Sequence, residues 1–447
     1  VNGAKMPFWF KVYGEKPVGG RSLWISLHGG GGTTTAVNDG QWNNQKRLYQ
    51  LEEGVYLAPR APTDTWNLWH RAHMDPLLDR LIENFVVFED VNPNRVFLMG
   101  YSAGGDGVYQ LAPRMADRWA AAAMMAGHPG DARTQPLRNL PFTLHVGGKD
   151  GAYQRNQRAE EWKNRLSDLA EGNPGDYPHW VRIPPDKGHW MDREDAAAVP
   201  WMAERRRNLR PERVTWVQDD VTHSRFYWLA VETPTKGAWL DVERRGQDFL
   251  VRKAEGLAGF RLRLDDSMVN LDQEIRVLRD EEVLFQGKVP RTAASIRHTL
   301  AERGDPSGIF TAEVAISLRE EIVAMDFKSS ESPADMIFSD SEAWQWNEEG
   351  GGSLSWSEGS RYKPPVRSPF TLGLVRDLEV RDFVMEAEVM QVGKEYAHRD
   401  ICFFLHFTSP ARFTYVHLST RPDARAHNVF LVADAARAPL LPVQDKG

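Results

Sequence analysis

The chain has 447 residues, of which 41% are hydrophobic and 26% charged, with a formal net charge of −7. That length is expected to divide into two or three domains with real cores, and the acidic balance excludes a basic field of the kind nucleic acid requires. No apolar run approaches the roughly 20 residues of a membrane span, and the lone Cys402 excludes an internal disulfide.

In chain order, Phe8 to Tyr13 and Ser22 to Leu27 read as strands, and the second runs into His28-Gly29-Gly30-Gly31-Gly32. Glycines there let backbone N–H groups approach a substrate oxygen without side chains intruding, so Gly29 and Gly30 are candidate oxyanion donors. Trp42 to Glu53 reads as a helix and Val55 to Ala58 as a strand. Pro59 to His70 is too proline-rich for a helix and too aromatic for a purely solvated loop. Trp66, Trp69 and His70 there, with Trp42 before and Trp190 after, are candidates to wall a substrate pocket. His70 and His73, with Asp75 nearby, have an H-x-x-H spacing that is weaker than H-E-x-x-H and no obvious third ligand, so no metal is expected. Asp75-Pro76 reads as a helix start with Asp75 as N-cap, followed by the apolar stripe Leu77, Leu78, Leu81, Ile82 and Phe85.

Val96 to Met99 reads as a strand buried on both faces. It leads into Gly100-Tyr101-Ser102-Ala103-Gly104, a G-x-S-x-G run, with a helix expected from Ala103 to about Met115. This pattern turns sharply from strand to helix and leaves its serine strained and exposed, with the Ala103 amide beside it as a further oxyanion donor. Further strands are expected at 120–126, 142–146 and 180–183, with helices at 153–170 and 196–207. Gly147-Gly148-Lys149-Asp150 follows the strand at 142–146, and P-P-D-K-G-H-W, carrying His189 and Trp190, follows the strand at 180–183. Alternating strands and helices predict a mostly parallel sheet covered on both faces, with sites at the strands' carboxyl ends. Ser102, Asp150 and His189 then stand in the order nucleophile, acid, base. A serine needs a base to remove its proton, histidine serves near neutral pH, and a carboxylate fixes the imidazole tautomer. Asp131 and Asp186 are rival acids; His128 and His145 are expected to be structural.

On His28 to Gly32, Gly100 to Gly105, Gly147 to Asp150 and Gly188-His189, residues 1–208 resemble α/β-hydrolase-fold serine esterases of the dienelactone hydrolase, carboxylesterase and polyhydroxybutyrate-depolymerase-like group. The resemblance implies serine-dependent ester hydrolysis without a cofactor. Only a short stretch precedes the strand that ends at His28, so the usual leading strands are expected to be reduced or missing. The double glycine Gly104-Gly105 also occurs in prolyl-oligopeptidase-like peptidases, which keeps a peptidase open.

Residues 209–325 read as short strands in a β-sandwich-like accessory module, with one helix at 295–303. V-L-F-Q-G at 283–287 reads as native strand sequence. Residues 326–447 resemble concanavalin-like jelly rolls of the laminarinase and laminin-G-like kind, expected to be incomplete. In the run from Glu386 to Gln391 glutamine replaces the last acid of E-x-D-x-x-E, which argues against glycosidase chemistry because glutamine cannot act as a general acid. Trp344, Trp346, Trp356 and Tyr415 are candidates either for sugar stacking or for core packing.

The expectation is therefore an α/β-hydrolase fold followed by two β-sandwich-like modules. The expected substrate is a small-molecule or polymer-linked ester, with a polysaccharide as partner of the last module and no nucleic acid or cofactor. A serine peptidase, or a carbohydrate-binding protein with an inactive hydrolase domain, are the alternatives. No leader is visible, yet the start at Val1 leaves room for one that was removed or not captured; a periplasmic or extracellular location is preferred to the cytoplasm.

Overall fold

The computed structural model describes residues 3–318 without interruption and, beyond them, 325, 327–329, 332–349, 352–356, 360–369, 371–380, 383, 385, 387–390, 400–419 and 427–440. Residues up to 320 form one compact unit and the remainder a second.

The first unit begins with seven strands: β1 (Phe8–Tyr13), β2 (Arg21–Leu27), β3 (Gly54–Pro59), β4 (Val91–Tyr101), β5 (Ala121–Met125), β6 (Phe142–His145) and β7 (His179–Arg182). They lie in the order β1-β3-β2-β4-β5-β6-β7, with β1 antiparallel at one edge and every other pairing parallel. The period-2 geometry of strands explains why the apolar runs are continuous. Leu23, Ile25, Val96, Leu98, Ala122 and Met124 point into a core on one face. Their neighbours Trp24, Phe97, Met99, Ala121 and Ala123 point into a second core on the other. Five helices flank the sheet: α1 (Thr35–Gln45), α2 (Met74–Phe88), α3 (Ala103–Arg114), α4 (Arg155–Gly172) and α5 (Ala198–Ala203).

Two local expectations are corrected. The helix expected from Trp42 to Glu53 lies earlier, over Thr35–Gln45, because the Thr34 hydroxyl accepts from the Val37 amide and starts it there. Asp75 does not cap α2, which begins one residue before it. Its buried carboxylate accepts from Arg114 and sits 2.8 Å from His223 Nε2. Two such partners outweigh one backbone amide, because a desolvated carboxylate is stabilised most by charge-assisted hydrogen bonds.

After the seven-stranded sheet, β8 (Arg213–Val217), β9 (Arg225–Phe226), β10 (Leu229–Ala230), β11 (Trp239–Arg245), β12 (Asp248–Glu255), β13 (Gly259–Leu264), β14 (Ile275–Arg279), β15 (Glu282–Gly287) and β16 (Ala312–Ser317) form two sheets, with α6 (Ala293–Arg303) between the last two strands. The orders are β15-β14-β12-β11-β8 and β16-β13-β10-β9. V-L-F-Q-G lies in β15. The expected boundary after residue 208 separates sheets but not compact units, because one hydrophobic cluster runs from Leu23 to Ile316. Buried charges bridge the same boundary. Asp305 accepts from Arg207 at 2.7 Å and from Arg118 at 3.3 Å, and Asp117 accepts from the Tyr227 amide and from Arg303. Burial alone would raise the Asp305 carboxyl, but Arg207 and Arg118 hold it below its ordinary range. Asp305→Ala leaves the buried Arg207 guanidinium without its acidic partner, while Arg118 keeps Asp79 at 2.8 Å. It is expected to cost about 3–5 kcal/mol of unfolding free energy in urea titration; a loss no larger than that of a surface substitution would contradict the role of this network.

In the second unit, Met336–Phe338 pairs with Gly373–Val375, Trp344–Asn347 pairs with Ser353–Trp356, and four strands between Asp400 and Pro439 form a sheet. Tyr415 is fully buried with Phe413, Phe430 and Val432, so of its two expected roles it takes core packing. Glu386 and Gln391, at the ends of the degenerate acid motif, lie outside the described residues.

Candidate active site

Four sequence signals sit at carboxyl ends of parallel strands in one sheet. His28 to Gly32 follow β2, Ser102 follows β4, Gly147 to Asp150 follow β6, and His189 lies in the loop after β7. This is where a parallel sheet gathers side chains from different loops.

Ser102 has φ 58° and ψ −122°, a region non-glycine residues avoid, at a cost of about 1–3 kcal/mol. Surrounding backbone holds it there: its amide donates to Met125 O at 2.9 Å, and its carbonyl accepts from the Asp106 amide at 3.0 Å. The strand and helix cross closely enough that a Cβ on Gly104 would stand 2.1 Å from Leu27 O, so only glycine fits.

His189 joins the other two residues. Its Nε2 is 3.1 Å from Ser102 Oγ and its Nδ1 is 2.7 Å from Asp150 Oδ2. A carboxylate only accepts, so Nδ1 carries the ring proton and Nε2 is left to accept from the serine hydroxyl. Asp150 is nearly fully buried, and Arg155 Nη1 lies 3.6 Å from its other oxygen as a partner for its charge. The rival acids stand elsewhere: Asp131 accepts from Gln110, and Asp186 is exposed. The Tyr101 hydroxyl donates to the His189 carbonyl at 2.6 Å and accepts from the Met191 amide at 3.3 Å, tying the histidine loop to the end of β4.

The Asp106 amide makes the first intrahelical bond of α3, so the amides of Ala103 and Gly104 precede the helix's own acceptors. The glycine loop packs against this turn. A Cβ on Gly29 would lie 3.2 Å from Ser102 Cβ. His28 anchors the loop: Ala61 N–H donates to its Nε2 at 3.1 Å, so its Nδ1 carries the proton and donates to Gly29 O at 2.6 Å. Burial lowers its pKa to about 4, which keeps that tautomer neutral. The Gly31 amide is already engaged with Asn38 Oδ1.

The aromatic candidates divide. Trp66 and Trp190 are exposed, at 72% and 51%. Trp66 lies over Gly31 and Gly32 and meets the half-buried His70 edge-on at 5.3 Å; the Trp190 ring is 5.8 Å from Tyr101. Trp42 is half-buried, donating to Ala58 O with the Lys46 ammonium 3.5 Å over its ring. Trp69 is a correction. It is fully buried, its indole donates to His28 O, and its Cβ packs where a side chain on Gly107 would go, so it is core and not a pocket wall. His145 is likewise core, 2.8 Å from the Thr143 hydroxyl.

The reading of the sequence missed Asn38, Tyr101, Arg155 and Asp106. Asp106, in the first turn of α3, accepts from the His128 amide at 2.6 Å, and burial raises its pKa to about 6. Among the described residues no group of histidine, cysteine and acidic side chains is arranged to hold a metal ion, and no helix is long and apolar enough to cross a membrane.

No protein-family model matches this sequence, and a search of curated proteins found no match. Among solved structures, similar ones are esterases and serine hydrolases. A thermostable esterase is 19% identical with a TM-score of 0.34, over 45% of this chain and 59% of that one. A carboxylesterase from Bacillus cereus is 16% identical with a TM-score of 0.33, over 45% and 95%. The S-formylglutathione hydrolase of Staphylococcus aureus is 15% identical with a TM-score of 0.31, over 45% and 98%. This chain therefore spans about three-fifths of the first and nearly all of the other two.

Buried histidines give the fold an acid sensitivity with a definite sign. Burial lowers His145 from 6.5 to about 3 and His28 from 6.5 to about 4. Between 6.5 and those values the unfolded chain binds protons that the folded chain does not, so stability falls as pH falls. Asp106 opposes this between 3.8 and about 6, where the folded chain holds the extra proton. His145→Gln is expected to reduce the slope of stability against pH by up to one proton, about 1.4 kcal/mol per pH unit, in urea titrations from pH 6.5 downward. An unchanged slope would show that His145 does not titrate this way.

Proposed function

We propose that this protein is a serine hydrolase that cleaves carboxylic esters through an acyl-enzyme intermediate. The observation that carries the reading is the continuous Ser102–His189–Asp150 relay, at 3.1 and 2.7 Å, with the serine held in a strained turn. His189 Nε2 takes the Ser102 proton as Oγ attacks the ester carbonyl, and Asp150 stabilises the imidazolium that forms. The carbonyl oxygen becomes an oxyanion facing the Ala103 amide and the amides of Gly29 and Gly30. His189 returns the proton to the leaving alkoxide. Water then repeats the sequence on the acyl-serine and releases the acid. Trp66 and Trp190 offer exposed apolar surface beside the two catalytic loops for the substrate's flanking groups. Residues 1–208 hold every group this chemistry needs.

The test is turnover of short-chain aryl esters and aminoacyl amides side by side, with prior fluorophosphonate labelling to count active sites. Ester turnover well above amide turnover supports the reading. Preferred amide cleavage would make the protein a peptidase, and no labelling with no turnover would leave an inactive hydrolase domain.

A further inference from the structure

The loop that carries Gly29 and Gly30 is clamped by one side chain. Asn38, in α1, is fully buried. Its Oδ1 accepts from the Gly31 amide at 3.0 Å and its Nδ2 donates to the Gly31 carbonyl at 3.0 Å, so the side-chain amide pairs with both polar groups of one residue. The second Nδ2 hydrogen goes to Asp64 Oδ1 at 2.8 Å. Every hydrogen-bonding direction but one acceptor lone pair is thereby used.

Asp64 decides which way the Asn38 amide faces. A carboxylate cannot donate, so it must meet Nδ2, which turns Oδ1 toward the Gly31 N–H. Asp64 is itself held by the Thr35 hydroxyl at 2.7 Å and by Arg60, which also pairs with Asp39. The Thr35 and Arg60 contacts keep the Asp64 carboxyl below its ordinary range. Arg60 Nη1 donates to Ala61 O while Ala61 N–H donates to His28, so the 60–64 segment is fastened to both ends of the glycine loop.

The clamp has work to do because the loop is otherwise soft. Gly30 and Gly31 have φ of +113° and +114°, where glycine has many alternatives and no side chain of its own to pin it. A Cβ on Gly30 would stand 2.1 Å from Asn38 Oδ1, so clamp and loop fit without spare space. An oxyanion donor stabilises the transition state only if it is already aimed when charge develops.

We infer that Asn38, oriented by Asp64, is a positioning residue that sets the aim of the Gly29–Gly30 amides toward the oxyanion beside Ser102. It does not touch substrate, and the inference rests on the serine-hydrolase reading. The effect should appear in kcat, because a misaimed donor weakens the transition state more than the ground state.

The experiment compares wild type, Asn38→Ala, Asn38→Asp and the pair Asn38→Asp with Asp64→Asn. Each is titrated with a fluorophosphonate, and rates on an aryl ester are expressed per labelled site. Asn38→Ala is expected to lower kcat by about 10- to 100-fold with KM within about threefold, a misplacement effect. Asn38→Asp, which sets two carboxylates together, is expected to fall at least as far, and the pair to recover part of the loss by restoring a donor–acceptor contact. Affinity for a trifluoromethyl ketone, which mimics the tetrahedral state, should fall in parallel with kcat/KM across the series, while a ground-state product acid binds unchanged. If Asn38→Ala does not fold, Asp64→Ala is expected to show the same pattern more weakly. Variants that keep kcat per labelled site, or lose it without losing ketone affinity, overturn the role of Asn38. Wild type that neither labels nor turns over ester overturns the serine-hydrolase reading itself.

Discussion

Ser102→Ala is expected to remove ester turnover by about 10⁶ in kcat, with fluorophosphonate labelling lost altogether. Covalent catalysis through this site has one nucleophilic atom, Ser102 Oγ, and it is the atom within hydrogen-bonding distance of His189 Nε2. His189→Ala is expected to be nearly as damaging, because the serine hydroxyl is a weak nucleophile without a base. The double variant should be no slower than either single one, since the two act as a unit. The fold should survive Ser102→Ala, because the residue's hold on the turn is through its backbone N–H and C=O. Ester turnover that persists in folded Ser102→Ala would place the chemistry elsewhere.

Asp150→Asn is expected to cost about 10⁴ in kcat with little change in fold. The carboxylate holds the proton on His189 Nδ1, 2.7 Å away. An amide in its place can donate to Nδ1, which moves the ring proton to Nε2, and a protonated Nε2 cannot accept from Ser102. The developing imidazolium also loses its anionic partner. Steady-state rates per labelled site check this, with Asp131→Asn and Asp186→Asn as controls that should stay near wild type. Near-normal turnover in Asp150→Asn with a large loss in either control would reassign the acid.

The sheet was legible because its chemistry repeats. Runs such as Val96 to Met99 have apolar residues at every position, which fits a strand covered on both faces, and these residues do feed two separate cores. The relay was legible because G-x-S-x-G, G-G-K-D and G-H each follow a strand, and strand ends converge in space. Side chains that belong to no such motif and whose partners are remote in sequence were not legible. Trp69 looked like a pocket wall because it stands in an aromatic, proline-rich loop, yet its indole reaches back across the fold to His28 O. Asp75 looked like a cap, and nothing local announced Arg114 or His223 as partners. Asn38 sits in a polar helix with no apolar stripe, where burial against a glycine loop leaves no periodic trace. The division after 208 marked a change from mixed α/β to β-rich sequence, but sequence pattern does not show that Asp117 and Asp305 are paired across it.

The most direct measurement of the central claim is peptide mapping by mass spectrometry of the full chain after reaction with a fluorophosphonate at neutral pH. One adduct per chain is predicted, on Ser102, formed at a rate that falls sharply in His189→Ala. An adduct on any other residue, or no adduct on folded protein, would contradict the account.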